Sequence, residues 1–195
     1  MFVKTQQQVV SFVFIPYIYM EWRKRLSSKL HLEDVHALAT EIQEKGGDAD
    51  KEMLFALLSD ADSKVAGNAA WVFSHFRSDQ RRWLYGKQQV LIDMVMRTKN
   101  PTLLRLILSL LLRLPFTEDT LRTDFLDFCL LHITQTSAPI AIRSLCLYLS
   151  YEQCRFFPEL TKELRAILSI LESEALLPGL RTAKRNVLHQ LKQNH

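Results

Sequence analysis

Residues 101–114 (PTLLRLILSLLLRL) are apolar at nearly every position, and the main polar exceptions are Thr102, Arg105, Ser109 and Arg113. Those exceptions are spaced three, four and four residues apart, which returns to one side of a 3.6-residue helix. The stretch therefore predicts a helix buried around most of its circumference, with a single narrow polar strip. Similar patterning predicts a helix over 31–45, closed by the Gly46-Gly47 stop signal. It then predicts helix pairs 50–59 with 62–77, 80–97 with 101–114, 118–135 with 139–154, and 159–173 with 176–193. Residues 9–20 (VVSFVFIPYIYM) are apolar but too short to span a bilayer, and Pro16 interrupts them.

The second helices of the pairs open alike. Pro101-Thr-Leu-Leu104-Arg105, Pro139-Ile-Ala-Ile142-Arg143 and Pro178-Gly-Leu180-Arg181 share a proline, a short gap and an aliphatic residue before arginine. The arginines are spaced 143 − 105 = 38 and 181 − 143 = 38. Asp62-Ser-Lys-Val65-Ala66 has the same shape one period earlier, with alanine in place of arginine. Proline or aspartate suits a helix start, where the first N–H groups have no partner to lose and the dipole favours an anionic cap. A period in the high thirties built from two antiparallel helices is the signature of an α-solenoid, whose neighbours stack to share one core.

These openings resemble the second helices of HEAT repeats, and Asp62-Ser-Lys-Val65-Ala66-Gly-Asn-Ala69-Ala70-Trp71 is the nearest single match. The resemblance covers roughly residues 50–193. It implies an all-α, right-handed α-α superhelix of about four to five helix pairs. It departs from the family pattern in its incomplete Asp-to-Arg ladder: Lys99, Ser137 and Ala175 stand where Asp is common. The expected organisation is one repeat domain over 20–195. Residues 1–19 are either an upstream extension ahead of a natural start at Met20 or an apolar capping helix.

Composition narrows the class. The chain has 195 residues, is 48% hydrophobic and 24% charged, and lacks glycine between Gly86 and Gly179, which favours helices over tightly turned sheets. Its net charge of +4 is too small for a dedicated nucleic-acid coat. The thiols Cys129, Cys146 and Cys154 lack Cys-x-x-Cys spacing and read as buried, reduced groups of a cytoplasmic protein. Cys129 and His132 offer two ligands at i, i+3 but no second pair, so no metal or other cofactor is expected.

HEAT stacks place their second helices on the concave side, so the resemblance implies a binding strip of Arg105, Arg113, Arg143, Tyr151, Arg181, Arg185 and His189. A basic, partly aromatic strip suits an acidic protein segment or a phosphate backbone. The competing reading is structural, since arginines at the ladder position also bridge neighbouring repeats. Asn68, Trp71 and His75, at i, i+3 and i+7, form a second candidate pocket, or else ordinary core residues. Basic residues Arg77, Arg81, Arg82 and Lys87 surround Trp83 and Tyr85, and no acidic residue follows Glu174.

No Gly-rich phosphate loop, His-Glu-x-x-His helix, Gly-x-Ser-x-Gly elbow or dinucleotide fingerprint occurs. The expected function is a non-catalytic scaffold for a protein partner. The alternative is nucleic-acid binding, as in the HEAT-like DNA alkylation repair glycosylases, although no Asp or Glu lies on the strip and Glu152 is only adjacent to it. A homo-oligomer would cover the apolar N-terminal segment.

Overall fold

The computed structural model describes residues 18–171 and 176–193, and every regular element among them is helical. No described helix is long and apolar enough to cross a membrane. The proposed 1–19 extension lies outside the described residues, apart from Ile18 and Tyr19. Those two belong to a helix, α1 (18–27), that runs on through Met20. The chain divides into two compact units, residues 1–81 and 82–195.

The first unit holds α1, α2 (Leu32–Glu44), α3 (Asp48–Ala56), α4 (Ser63–Ser74) and the single turn α5 (Ser78–Arg81). Val35, Leu38, Ala39 and Ile42 form the buried stripe of α2, and Val65, Ala69, Ala70, Val72 and Phe73 that of α4. Local chemistry sets the ends. The Asp34 carboxylate accepts from the His31 N–H at 2.8 Å, and Asp62 caps α4 by accepting from the Lys64 N–H at 2.9 Å. After α2, no described glycine has a positive φ. Gly46 is needed instead for close approach, because a Cβ there would lie 2.6 Å from the Ile42 carbonyl oxygen. Two ion pairs tie α1 down: Arg25 with Glu41 at 2.6 Å and Arg23 with Asp60 at 2.8 Å.

The second unit holds α6 (Gln88–Arg97), α7 (Pro101–Leu111), α8 (Thr123–Thr134), α9 (Ile140–Cys154), α10 (Pro158–Ile170) and α11 (Pro178–Gln193). They form two layers: α6, α8 and α10 in one, and α7, α9 and α11 in the other. α9 is the most enclosed, packing against α7, α8, α10 and α11. As the sequence predicts, α7 is buried almost all round, through Leu103, Leu104, Leu106, Ile107, Leu108, Leu110 and Leu111. Asn100 caps it by accepting from the Thr102 and Leu103 N–H groups, and Pro101 occupies the first turn.

Two expected helices are broken. The 80–97 helix begins only at Gln88, because Arg82–Lys87 winds as a 3₁₀ segment. Gly86 is a poor helix former and Trp83 and Tyr85 are weaker ones than leucine, and the tighter winding buries Leu84 completely. The 118–135 helix begins at Thr123, after a 3₁₀ turn over Glu118–Thr120 and an extended Arg122. That break lets the Arg122 guanidinium reach Asp93 on α6 and Asp124 on α8, each at 2.6 Å.

Candidate partner-binding surface

The three ladder arginines do not share an environment. Arg105 on α7 is exposed and meets no carboxylate among the described residues. Arg143, one period later on α9, is only 7% exposed, and its Nε donates to the Ile133 carbonyl at 2.9 Å. Ile133 lies in the last turn of α8, whose carbonyls have no intrahelical partner, so Arg143 caps its neighbour. Arg181 on α11 is exposed, and its guanidinium donates to the Leu176 carbonyl at 2.8 Å.

The rest of the strip divides the same way. Arg113, Arg185 and His189 are exposed, and the His189 ring contacts the Gln193 amide at 3.0 Å. Tyr151 is buried, as is Leu147 one turn before it. The exposed members thus sit on α7 (Arg105), in the turn that follows it (Arg113) and on α11 (Arg181, Arg185, His189), and α7 and α11 are the two helices that flank α9. What α9 presents instead is a half-buried row that includes Ser144, Tyr148 and Glu152. The Asn186 amide of α11 donates to the Tyr148 hydroxyl at 3.0 Å, joining two positions 38 residues apart. Neither residue stood out in the sequence, although their separation equals the repeat period.

In the first unit the structure splits the Asn68, Trp71 and His75 trio. Asn68 donates to the Leu26 and Ser28 carbonyls at 2.8 and 3.2 Å, closing the C-terminal end of α1. Trp71 and His75 stay together, their rings 6.4 Å apart edge to face, and His36 of α2 joins them 4.6 Å from the His75 ring. His36, Thr40, Glu41, Glu44 and Lys45 line an open groove beside them. The basic cluster near this unit's end is partly neutralised, since Arg77 pairs with Glu44 at 3.4 Å and Asp79 at 3.7 Å. In the second unit Trp83 is half-buried under the Lys87 ammonium, 5.1 Å from the ring, whereas Tyr85 is exposed.

Cys129, Cys146 and Cys154 are all buried, and none forms a disulfide. Burial pushes the Cys129 thiol well above its ordinary range, reinforced by the adjacent Cys146, and pushes Cys154 up to about 12. His132 is occupied locally, its Nδ1 lying 2.8 Å from the Phe128 carbonyl. Among the described residues, no group of three or more His, Cys, Asp or Glu is placed to hold a metal.

Paired helices stacked in layers, repeating near 38 residues, define an α-helical repeat protein. A family model described as a HEAT repeat domain matches residues 22–191, and the chain belongs to that family. Neither a curated protein nor a solved structure matches it.

Proposed function

We propose that this HEAT repeat chain is a non-catalytic scaffold that binds a protein partner through the layer formed by α7, α9 and α11. The observation that carries this reading is the set of exposed basic side chains on that layer: Arg105 on α7, Arg113 in the turn after it, and Arg181, Arg185 and His189 on α11. In stacks of this kind the second helices line the concave side, where one partner segment meets several repeats at once. Arg143 and Tyr151 support the surface from beneath rather than contacting a ligand. Arginine forks recognise carboxylates in two-point fashion, which gives orientation as well as attraction.

The test is capture from a cell extract by the intact chain, beside an Arg105→Glu/Arg113→Glu/Arg181→Glu/Arg185→Glu variant of unchanged circular dichroism. The expected result is a saturable protein complex recovered by the parent chain and lost in the variant. Recovery of the same proteins by both chains overturns the reading. Nucleic acid as the captured species, with affinity falling steeply with salt, replaces it with phosphate binding.

A further inference from the structure

We propose that the outward face of α11 is a docking surface for an acidic polypeptide helix whose carboxylates repeat every four residues. This rests on reading the α7–α9–α11 layer as the partner surface, and it names the chemistry of what binds there. Arg181, Arg185 and His189 follow one another at four-residue intervals, Lys192 comes three residues later, and all four are exposed. Eleven residues separate Arg181 from Lys192, which is about 16 Å along a helix at ~1.5 Å per residue. None of the four meets a carboxylate among the described residues, and the neighbouring exposed side chains, including Asn186, are neutral and polar.

The position of this row in the layer says what fits. On α9 the positions one period earlier, Arg143, Leu147 and Tyr151, are enclosed by neighbouring helices, at 7%, 0% and 6% exposure. On α11 the corresponding positions are open. They carry basic side chains rather than aliphatics, so another hydrophobic repeat has nothing to bury there. A helix with Glu or Asp at i, i+4 and i+8 sets its carboxylates ~6 Å apart, matching the spacing of Arg181, Arg185 and His189. The row is about one side chain wide, which is too narrow to follow both strands of a duplex. α11 also carries no Phe, Tyr or Trp on which single-stranded bases would stack.

The test is fluorescence anisotropy at low salt with the intact chain and three labelled probes. One is an alanine-based helical peptide with Glu at every fourth position. The second is an isomer with the same Glu content spread around the helix, and the third is a single-stranded oligonucleotide of equal charge. Arg181→Glu/Arg185→Glu and Arg105→Glu/Arg113→Glu variants are run in parallel. The expected outcome is at least tenfold tighter binding of the one-faced peptide than of either other probe. That binding should fall at least tenfold in the α11 variant and little in the α7 variant. Equal binding of the two peptides, no binding of either, or tighter binding of the oligonucleotide overturns the proposal. Loss in the α7 variant alone removes α11 from the site while leaving the layer as a protein-binding surface.

Discussion

Replacing Arg143 by alanine tests the different fates of three arginines that occupy one repeat position. The Arg143 side chain is 7% exposed, and its Nε donates to the Ile133 carbonyl at 2.9 Å in the closing turn of α8. A hydrogen bond from a charged donor contributes roughly 1.5–3 kcal/mol, and an orphaned buried carbonyl adds a desolvation penalty. The three methylenes of the stem are worth up to ~0.8 kcal/mol each when buried. Relief from desolvating the guanidinium opposes both terms. The expected net loss is about 3 kcal/mol, which for a chain of this length is roughly 6–12 °C in melting temperature. Arg105→Ala and Arg181→Ala remove exposed side chains and should each change stability by less than about 1 kcal/mol. Arg143→Met retains most of the stem and should recover part of the loss, separating packing from the carbonyl contact. Thermal and urea unfolding of the four variants make the comparison. If Arg143→Ala falls within 0.5 kcal/mol (roughly the noise of a surface substitution) of Arg105→Ala, the capping role assigned to Arg143 is wrong.

All three thiols are buried, and burial pushes Cys154 up to about 12 and raises Cys129 well above its usual range. In the folded chain at pH 8 a thiol reagent should label them only after denaturant is added; labelling of a native thiol at the rate of free cysteine contradicts this. The Arg23 guanidinium beside Asp60 holds that carboxyl below its ordinary value of 3.8. A depressed carboxyl adds stability at neutral pH that is lost as the pH falls through about 4 towards the folded value. Asp60→Asn should therefore narrow the difference between urea midpoints at pH 7 and pH 3, and an unchanged difference would remove Asp60 from the acid response.

The repeat period was legible in the sequence because it records adjacency. Contacts between successive pairs join residues about one period apart: Arg23 with Asp60 (37 residues), Asn68 with Ser28 (40), Arg155 with Phe116 (39), and Tyr148 with Asn186 (38). Each pair needs its neighbour to bury a face, so the interval at which the pattern returns is also the interval across which side chains meet. The burial of α7, the cap at Asp62 and the end of α2 were equally readable, because they depend on residues within a turn or two.

The candidate site was legible only in outline. Arg105, Arg143 and Arg181 are interchangeable as letters in a pattern, but the enclosed side of each helix is set by what packs against it. α9 has helices on both flanks and turns Arg143 and Tyr151 inward, whereas α11 leaves Arg181, Arg185 and His189 open. The approach of His36 to His75 lay equally beyond local pattern, since rings on separate helices meet only once both have docked. The breaks at Arg82–Lys87 and Arg122 have the same origin: Leu84 is carried into the core, and Arg122 reaches across to Asp93. Periodicity along a chain fixes which residues share a helix face, because that follows from 3.6 residues per turn. Whether the face meets protein or water is decided by the neighbouring helices, and that is a property of the stack.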